Sequence, residues 1–384
     1  MAFEQIVQKT WRDNILFSVL VELTYRCNLD CFFCYNDLGL RGEPLRTDQY
    51  FEFFADLRDL QVLNLTLSGG EPLAHPDFLR LGARARELGF VVRVKSNGHA
   101  LRGEAARRLR DEVDPYLVEV SLHGANAATH DRQTRVPGSF DRLLANLREA
   151  LELGLRIKMN STMTAWNEGE IEGMLALADS LGVPLQLDPE VTPKDDGDRE
   201  PLSISPSRAG VARLFALQMA RARALSAADP QAAAGGSMAN SGLAVAKGGD
   251  DGTMPAPAEK HCGAGSAGIA VDPYGNVYPC VQWRRAVGNL HRQSIREIWA
   301  GSAGLREVRA LTAQAKELVD SYGPAGGLMS FCPGSAAVRS GDPLQVYPEA
   351  LRRMDMMGEA LAGADGVEAA AASPAPRAVL PIVS

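Results

Sequence analysis

Cys27, Cys31 and Cys34 stand inside the stretch YRCNLDCFFCYN, Tyr25–Asn36. They are half of the six cysteines in a chain of 384 residues. The gaps are three residues and then two. Usage this sparse does not make a disulfide scaffold. The opening MAFEQIVQKTW has no basic stretch leading into an apolar one, so no secretory signal is read. The apolar-rich run ILFSVLVEL, Ile15–Leu23, is too short to span a bilayer and contains Glu22. The expected setting is cytoplasmic, where thiols stay reduced and clustered cysteines bind metal. Structural zinc is one such reading, but it wants four closed ligands with gaps of C-x2-C or C-x4-C, and no fourth ligand lies nearby. Three thiolates at C-x3-C-x2-C suit a four-iron cluster better. They leave one iron without a protein ligand, free to hold a small molecule.

Two further segments bear on what that molecule is. NLTLSGGEP, Asn64–Pro72, is a strand pattern ending in the pair Gly69–Gly70 and then Glu71. Glycine lets a ligand approach the backbone closely, and a carboxylate suits an ammonium group. VVRVKSNG, Val91–Gly98, is a second apolar strand ending in small polar residues. Either alone reads equally well as a strand-end turn.

In this order behind the cysteine triplet, the segments resemble the radical S-adenosylmethionine (radical SAM) superfamily. The resemblance implies that Cys27, Cys31 and Cys34 hold a 4Fe–4S cluster whose open iron takes the amino and carboxylate groups of S-adenosylmethionine (SAM). It implies that Gly69, Gly70 and Glu71 receive the SAM ammonium. Ser96 and Asn97 fall where that family contacts the ribose or carboxylate. Phe33 and Tyr35 fall where it packs the adenine, or they fill core space. Ser121, Asn160 and Ser161 are weaker candidate contacts. A low-potential cluster would cleave SAM to methionine and a 5′-deoxyadenosyl radical that abstracts hydrogen from an unactivated carbon.

Such loops need strand ends to carry them. β-type runs are read at Leu16–Thr24, Val62–Ser68, Val91–Lys95, Leu117–Leu122, Ile157–Thr162 and Leu185–Leu187. Helical stretches lie between them, including Gln49–Leu60, Asp77–Leu88, Phe140–Leu153 and Glu168–Leu181. Strand–helix alternation argues for parallel β/α units, so the expected class is α/β, a partial (β/α)6 barrel with its site at the strand C-terminal ends. The segment Ser121–Asp141 reads as a fourth strand and its following loop. His123, Arg132 and Arg135 there either face the substrate or sit in solvent.

The barrel is expected over residues 15–204, after an extension of residues 1–14. A helix beginning at Ser205–Pro206 and running to about Leu225 opens the segment 205–260. Residues 226–260 are rich in Ala, Gly, Ser, Pro and Asp and read as a flexible linker. An auxiliary module is expected over residues 261–340, then a C-terminal helix and disordered tail over residues 341–384. Cys262 and Cys280 flank a hairpin-like turn at Pro273–Asn276, and Cys332 follows in SFCPGSA. This part resembles the auxiliary-cluster domain called SPASM, or its shorter relative called twitch. A full SPASM domain carries more cysteines. The three here imply one auxiliary 4Fe–4S cluster, and His261 is a candidate for its missing ligand.

A net charge of −7 with interspersed signs does not suggest a nucleic-acid surface. The resemblance implies a peptide maturase: an oxidoreductase that modifies a ribosomally made precursor peptide by crosslink, thioether or epimerisation. The partners it implies are that peptide, a flavodoxin- or ferredoxin-type reductant and a separate leader-binding protein, with no nucleic acid and no membrane. Two alternatives stand beside it. One is a radical SAM dehydrogenase of an alcohol or amino-sugar; the other is a non-enzymatic iron–sulfur carrier.

Overall fold

Apolar residues at every second position build one face of a sheet. Val19, Val21, Leu65, Leu67, Val92, Val94, Val118, Val120, Ile157 and Met159 are buried in a single core. Most residues of the other parity are polar, and several meet one another across strands. Asn160 Nδ2 donates to Glu119 at 2.8 Å, Lys158 donates to Gln186 at 2.5 Å, and Arg93 pairs with Glu119 at 3.6 Å. A parallel sheet covered by helices on both sides would read as unbroken apolar runs. Here only one face is covered, and the polar face is the inner wall of a partial barrel.

The computed structural model describes residues 3–228 and 259–363. Helix α1 (Phe3–Asp13) leads into β1 (Ser18–Thr24). Then follow α2 (Thr47–Asp59), β2 (Asn64–Gly69), α3 (Phe78–Glu87), β3 (Val91–Ser96), α4 (Gly103–Arg108) and β4 (Leu117–Ser121). After these come α5 (Ala127–Thr134), α6 (Ser139–Glu152), β5 (Ile157–Thr162), α7 (Ile171–Leu181), β6 (Leu185–Asp188) and α8 (Arg208–Ala228). Strands β1 to β6 are parallel and lie side by side in chain order. That order is a (β/α) barrel left open between its first and sixth strands. Tyr50, Phe53, Phe54 and Leu57 of α2 and Leu143, Leu147 and Ala150 of α6 cover the apolar face.

Two local readings need correction. The segment after β4 is not a plain loop, because it carries α5, whose Asn126 side chain accepts from Thr129 N–H as N-cap. The helix read from Ser205–Pro206 starts later, at Arg208, behind a 3-10 turn over Glu200–Ile204. Most of the linker and nearly all of the tail read from composition lie outside the described residues.

The auxiliary part joins the same sheet. Strand β7 (Gly268–Val271) pairs parallel with β1, Ser18 against Gly268, and turns into antiparallel β8 (Asn276–Tyr278) and β9 (Gly288–Asn289). Buried Asp272 shapes the turn by accepting from Tyr274 N–H, Asn276 N–H, Asn276 Nδ2 and Tyr278 Oη. Gly275 sits there at φ +77°, a conformation that disfavours a side chain. Helices α9 (Ile295–Gly301), α10 (Ala303–Asp320), α11 (Pro333–Ser340) and α12 (Pro348–Gly363) complete the chain. The stretch where a longer cysteine run would stand is a 3-10 turn over Gly323–Leu328.

Candidate active site

The three motifs sit at the ends of β1, β2 and β3 and hold one another. Gly70 N–H donates to Thr24 O at 2.7 Å and Glu71 N–H to Arg26 O at 2.9 Å, so the end of β2 grips the root of the cysteine loop. The glycine pair is required by that grip. A Cβ on Gly69 would stand 2.3 Å from Thr24 O, and one on Gly70 would stand 2.6 Å from Arg26 O and 2.8 Å from Tyr25 O. Gly69 also has φ +135°. These two glycines therefore also serve a close approach between two backbones of the protein, a need the sequence did not show. Asn36 Nδ2, beyond the last cysteine of the loop, donates back to Gly69 O at 3.3 Å.

Glu71 is buried, and its carboxylate joins β2 to β3. It accepts from Leu73 N–H at 3.1 Å, from Ser96 Oγ at 3.0 Å and from Asn97 N–H at 2.7 Å. Burial raises the carboxyl above its ordinary range, and these donors oppose the rise. Ser96 Oγ in turn accepts from Gly98 N–H at 3.0 Å. The Asn97 side chain donates to Asn28 Oδ1 at 2.8 Å and lies 3.7 Å from Cys27 Sγ. Its Oδ1 accepts from His99 N–H, and the His99 ring meets Asn28 Nδ2 at 3.0 Å. Ser96 and Asn97 thus act on the loop that carries Cys27. Asn28 and His99 complete this network and were not singled out in the sequence, since a polar strand end such as NGHA, Asn97–Ala100, offers only a weak signal.

Cys27 is exposed, while Cys31 and Cys34 are partly buried. Burial pushes the Cys34 thiol up to about 11, with Cys27, Asp195 and Glu22 adding to it. Cys31 is raised further by burial and then by its two neighbours. The three thiols therefore feel one another. Among the described residues no three His, Cys, Asp or Glu side chains converge on a single ion. Cubane ligands each bind a different iron and need not converge, so this donor set fits a cluster better than zinc.

The outer side of the loop rests on α5. Asp30 N–H donates to Thr134 O and Phe32 N–H to Gln133 O, both at 3.1 Å. Arg135 stacks on Phe32 at 4.6 Å and Arg132 on Trp166 at 4.0 Å, so both arginines are held on aromatic rings. Phe33 meets buried His123 edge-on at 4.6 Å. Burial pushes the His123 imidazole down to about 3, with His130 beside it adding, which keeps the ring neutral. Ser121 and Asn160 are register partners at the neighbouring strand ends.

In the auxiliary part, burial pushes Cys262 up to about 11 and Cys280 up to about 12, and Cys332 adds to both. Three residues distant in sequence are thereby together. Cys280 Sγ accepts from Gln282 N–H at 3.2 Å, and Cys332 Sγ caps α11 by accepting from Ser335 N–H at 3.4 Å. His261 Nε2 stands 2.8 Å from Phe331 O, which leaves Nδ1 alone as a ligand atom.

A buried ion triad lies between the two thiol sets. Arg284, beyond Cys280, forms a bidentate pair with fully buried Glu22 of β1 at 2.9 and 2.7 Å. Its Nε stands 2.9 Å from Asp195 Oδ2 in an ion-pair contact without hydrogen-bond alignment. Burial pushes the Asp195 carboxyl up to about 7 against the pull of Arg284. Tyr35 faces this triad, with Arg284 6.0 Å from its ring. The Tyr35 carbonyl accepts from Asp195 N–H at 2.7 Å. The structure thus turns Tyr35 toward the auxiliary part. Sequence reasoning missed the triad, although an acid inside the apolar strand ILFSVLVEL was its visible signal.

Known proteins share this layout. The Radical SAM superfamily matches residues 21–178, and SPASM, an iron-sulfur cluster-binding domain, matches residues 262–321. PqqA peptide cyclase of Ruegeria pomeroyi is 29% identical over 372 residues, covering 91% of this chain and 93% of that protein. Mycofactocin maturase MftC of Mycobacterium ulcerans is 30% identical over 300 residues, 75% of each. Pre-heme d1 synthase of Dinoroseobacter shibae is 29% identical over 346 residues, 85% of this chain and 83% of that one. The structure of anSMEcpe with bound AdoMet and Kp18Cys peptide has the same fold, with TM-score 0.64 at 15% identity over 91% of this chain and 99% of that one. The carrier alternative gives way before these likenesses. The chain belongs to the radical SAM superfamily and is an enzyme that takes a 4Fe–4S cluster and SAM, with a SPASM-type iron–sulfur domain beside its barrel.

Proposed function

We propose that the enzyme modifies a ribosomally made precursor peptide by hydrogen abstraction. The observation that carries this reading is the end-to-end likeness to PqqA peptide cyclase, which runs through both the barrel and the auxiliary part. Cys27, Cys31 and Cys34 hold the SAM-binding cluster, and Cys262, Cys280 and Cys332 hold one auxiliary cluster. When bound, the first cluster and SAM supply the electron and the nucleoside fragment that removes hydrogen from the substrate.

The chain's own residues orient and shield these groups. Asn97 and Asn28 fix the Cys27 end of the loop. Gly69 and Gly70 let β2 lie against its root, and Glu71 ties that root to β3. The backbone around Glu71 and Asn97 frames the SAM amino and carboxylate groups. Phe33 on neutral His123 offers an apolar wall for the adenine. A flavodoxin- or ferredoxin-type protein supplies the electrons, and a separate protein holds the peptide leader.

A second reading, a tetrapyrrole substrate, is favoured by the likeness to pre-heme d1 synthase. Co-expression with each short peptide encoded beside the gene, followed by mass and chiral analysis, separates the two. The peptide reading expects one such peptide to lose hydrogen mass or gain a D-residue only when the intact enzyme is present. Unchanged peptides, together with turnover of an added tetrapyrrole, would replace it with the second reading.

A further inference from the structure

Arg284, Glu22 and Asp195 are placed where neither cluster's ligand set needs them. Arg284 comes from the auxiliary part, four residues after Cys280. Glu22 comes from β1, five residues before Cys27. Asp195 follows β6, and its backbone N–H holds the carbonyl of Tyr35, next to Cys34. The Arg284 side chain is 8% exposed and that of Glu22 is 0% exposed. Tyr25 Oη donates to Glu22 at 3.0 Å, and Arg284 lies 5.2 Å from the ring of Tyr278 in β8. One guanidinium thus spans from the auxiliary hairpin to both ends of the cysteine loop.

Burying three charges is expensive, and an apolar contact of the same volume would often hold two parts together as well or better. The triad therefore invites a role beyond adhesion. Buried charges are weakly screened, so they act strongly on neighbouring charged groups. Both cysteine sets lie within that reach. Arg284 stands four residues after Cys280 and 6.0 Å from the ring of Tyr35, which follows Cys34, and Asp195 N–H donates to the Tyr35 carbonyl at 2.7 Å. Each cluster gains one negative charge on reduction. A fixed cation beside it favours the reduced state, and a fixed anion favours the oxidised state.

We propose that Arg284 and Glu22 form an electrostatic link between the two clusters, setting their reduction potentials jointly from one buried ion pair. Arg284 raises both potentials and Glu22 lowers both. Arg284 is argued here as a positioning and tuning residue, acting through its pairing with Glu22. The inference rests on the reading that Cys262, Cys280 and Cys332 hold a cluster.

The test is an EPR-monitored redox titration of the reconstituted enzyme without substrate. The parent should carry about eight irons and two cluster signals. Arg284→Met should lower both midpoint potentials, and Glu22→Gln, which keeps the side-chain shape, should raise both. Arg284→Lys keeps the charge and should restore the parent's potentials. A purely adhesive role would shift the two charge-removing variants alike or not at all, and either result would overturn the link. Should Arg284→Met fail to hold iron, Glu22→Gln still decides, because an unmoved potential there is equally fatal. A parent with about four irons and one signal would remove the auxiliary cluster itself, and the link with it. Two signals unmoved by either variant would overturn the link alone.

Discussion

Replacing Cys27, Cys31 or Cys34 by Ala reduces 5′-deoxyadenosine formation to background in an anaerobic assay with dithionite and SAM. Two thiolates cannot keep the cubane seated at the mouth of the barrel. Two polar side chains beside the loop are already committed elsewhere. Asn97 is bound to Asn28 and His99, and Glu71 to Leu73, Ser96 and Asn97. In the triple variant, iron content should fall from about eight to about four per chain, the remainder residing at Cys262, Cys280 and Cys332. Undiminished 5′-deoxyadenosine from the triple variant would contradict the site.

Gly70→Val has the second largest expected effect, and its character follows from the structure. The new Cβ would meet two carbonyl oxygens, those of Arg26 and Tyr25, at 2.6 and 2.8 Å. Neither is the tip of a flexible side chain. The end of β2 must back away from the cysteine loop, breaking the bonds from Gly70 N–H to Thr24 O and from Glu71 N–H to Arg26 O. Overpacking of this kind costs about 3 kcal/mol. The outcome is loss of SAM binding together with loss of iron at the first cluster, read by equilibrium binding and by iron analysis. A variant that loses SAM binding while keeping its full iron would show instead that Gly70 clears space for the ligand alone.

That contrast marks what local sequence could carry. The C-x3-C-x2-C spacing, the alternation in VLVEL and VVRV, and the order of the motifs are local patterns, and strands β1 to β6 and the loops at their ends could be read from them. Long-range partners are a different matter. That Gly70 packs against the Arg26 backbone depends on how β1 and β2 align. That β7 adds to β1, making the auxiliary hairpin part of the barrel's sheet, depends on a pairing about 250 residues apart in sequence, which no local period encodes. The Glu22–Arg284–Asp195 triad has the same origin. Its members are ordinary charged residues one by one, and only folding makes them buried partners. Helix α5 was hidden for a local reason, being short and mostly polar, so its capping asparagine read as loop chemistry.

The central claim, a radical SAM enzyme whose hydrogen donor is a peptide, is tested most directly by isotope transfer. The reconstituted enzyme is given SAM, a reductant and the co-encoded precursor peptide carrying deuterium on its side chains and α-carbons. The account predicts that 5′-deoxyadenosine acquires deuterium from the peptide and that the same peptide emerges modified. Modified peptide accompanied by unlabelled 5′-deoxyadenosine, or labelled peptide left intact while SAM is consumed, would contradict it.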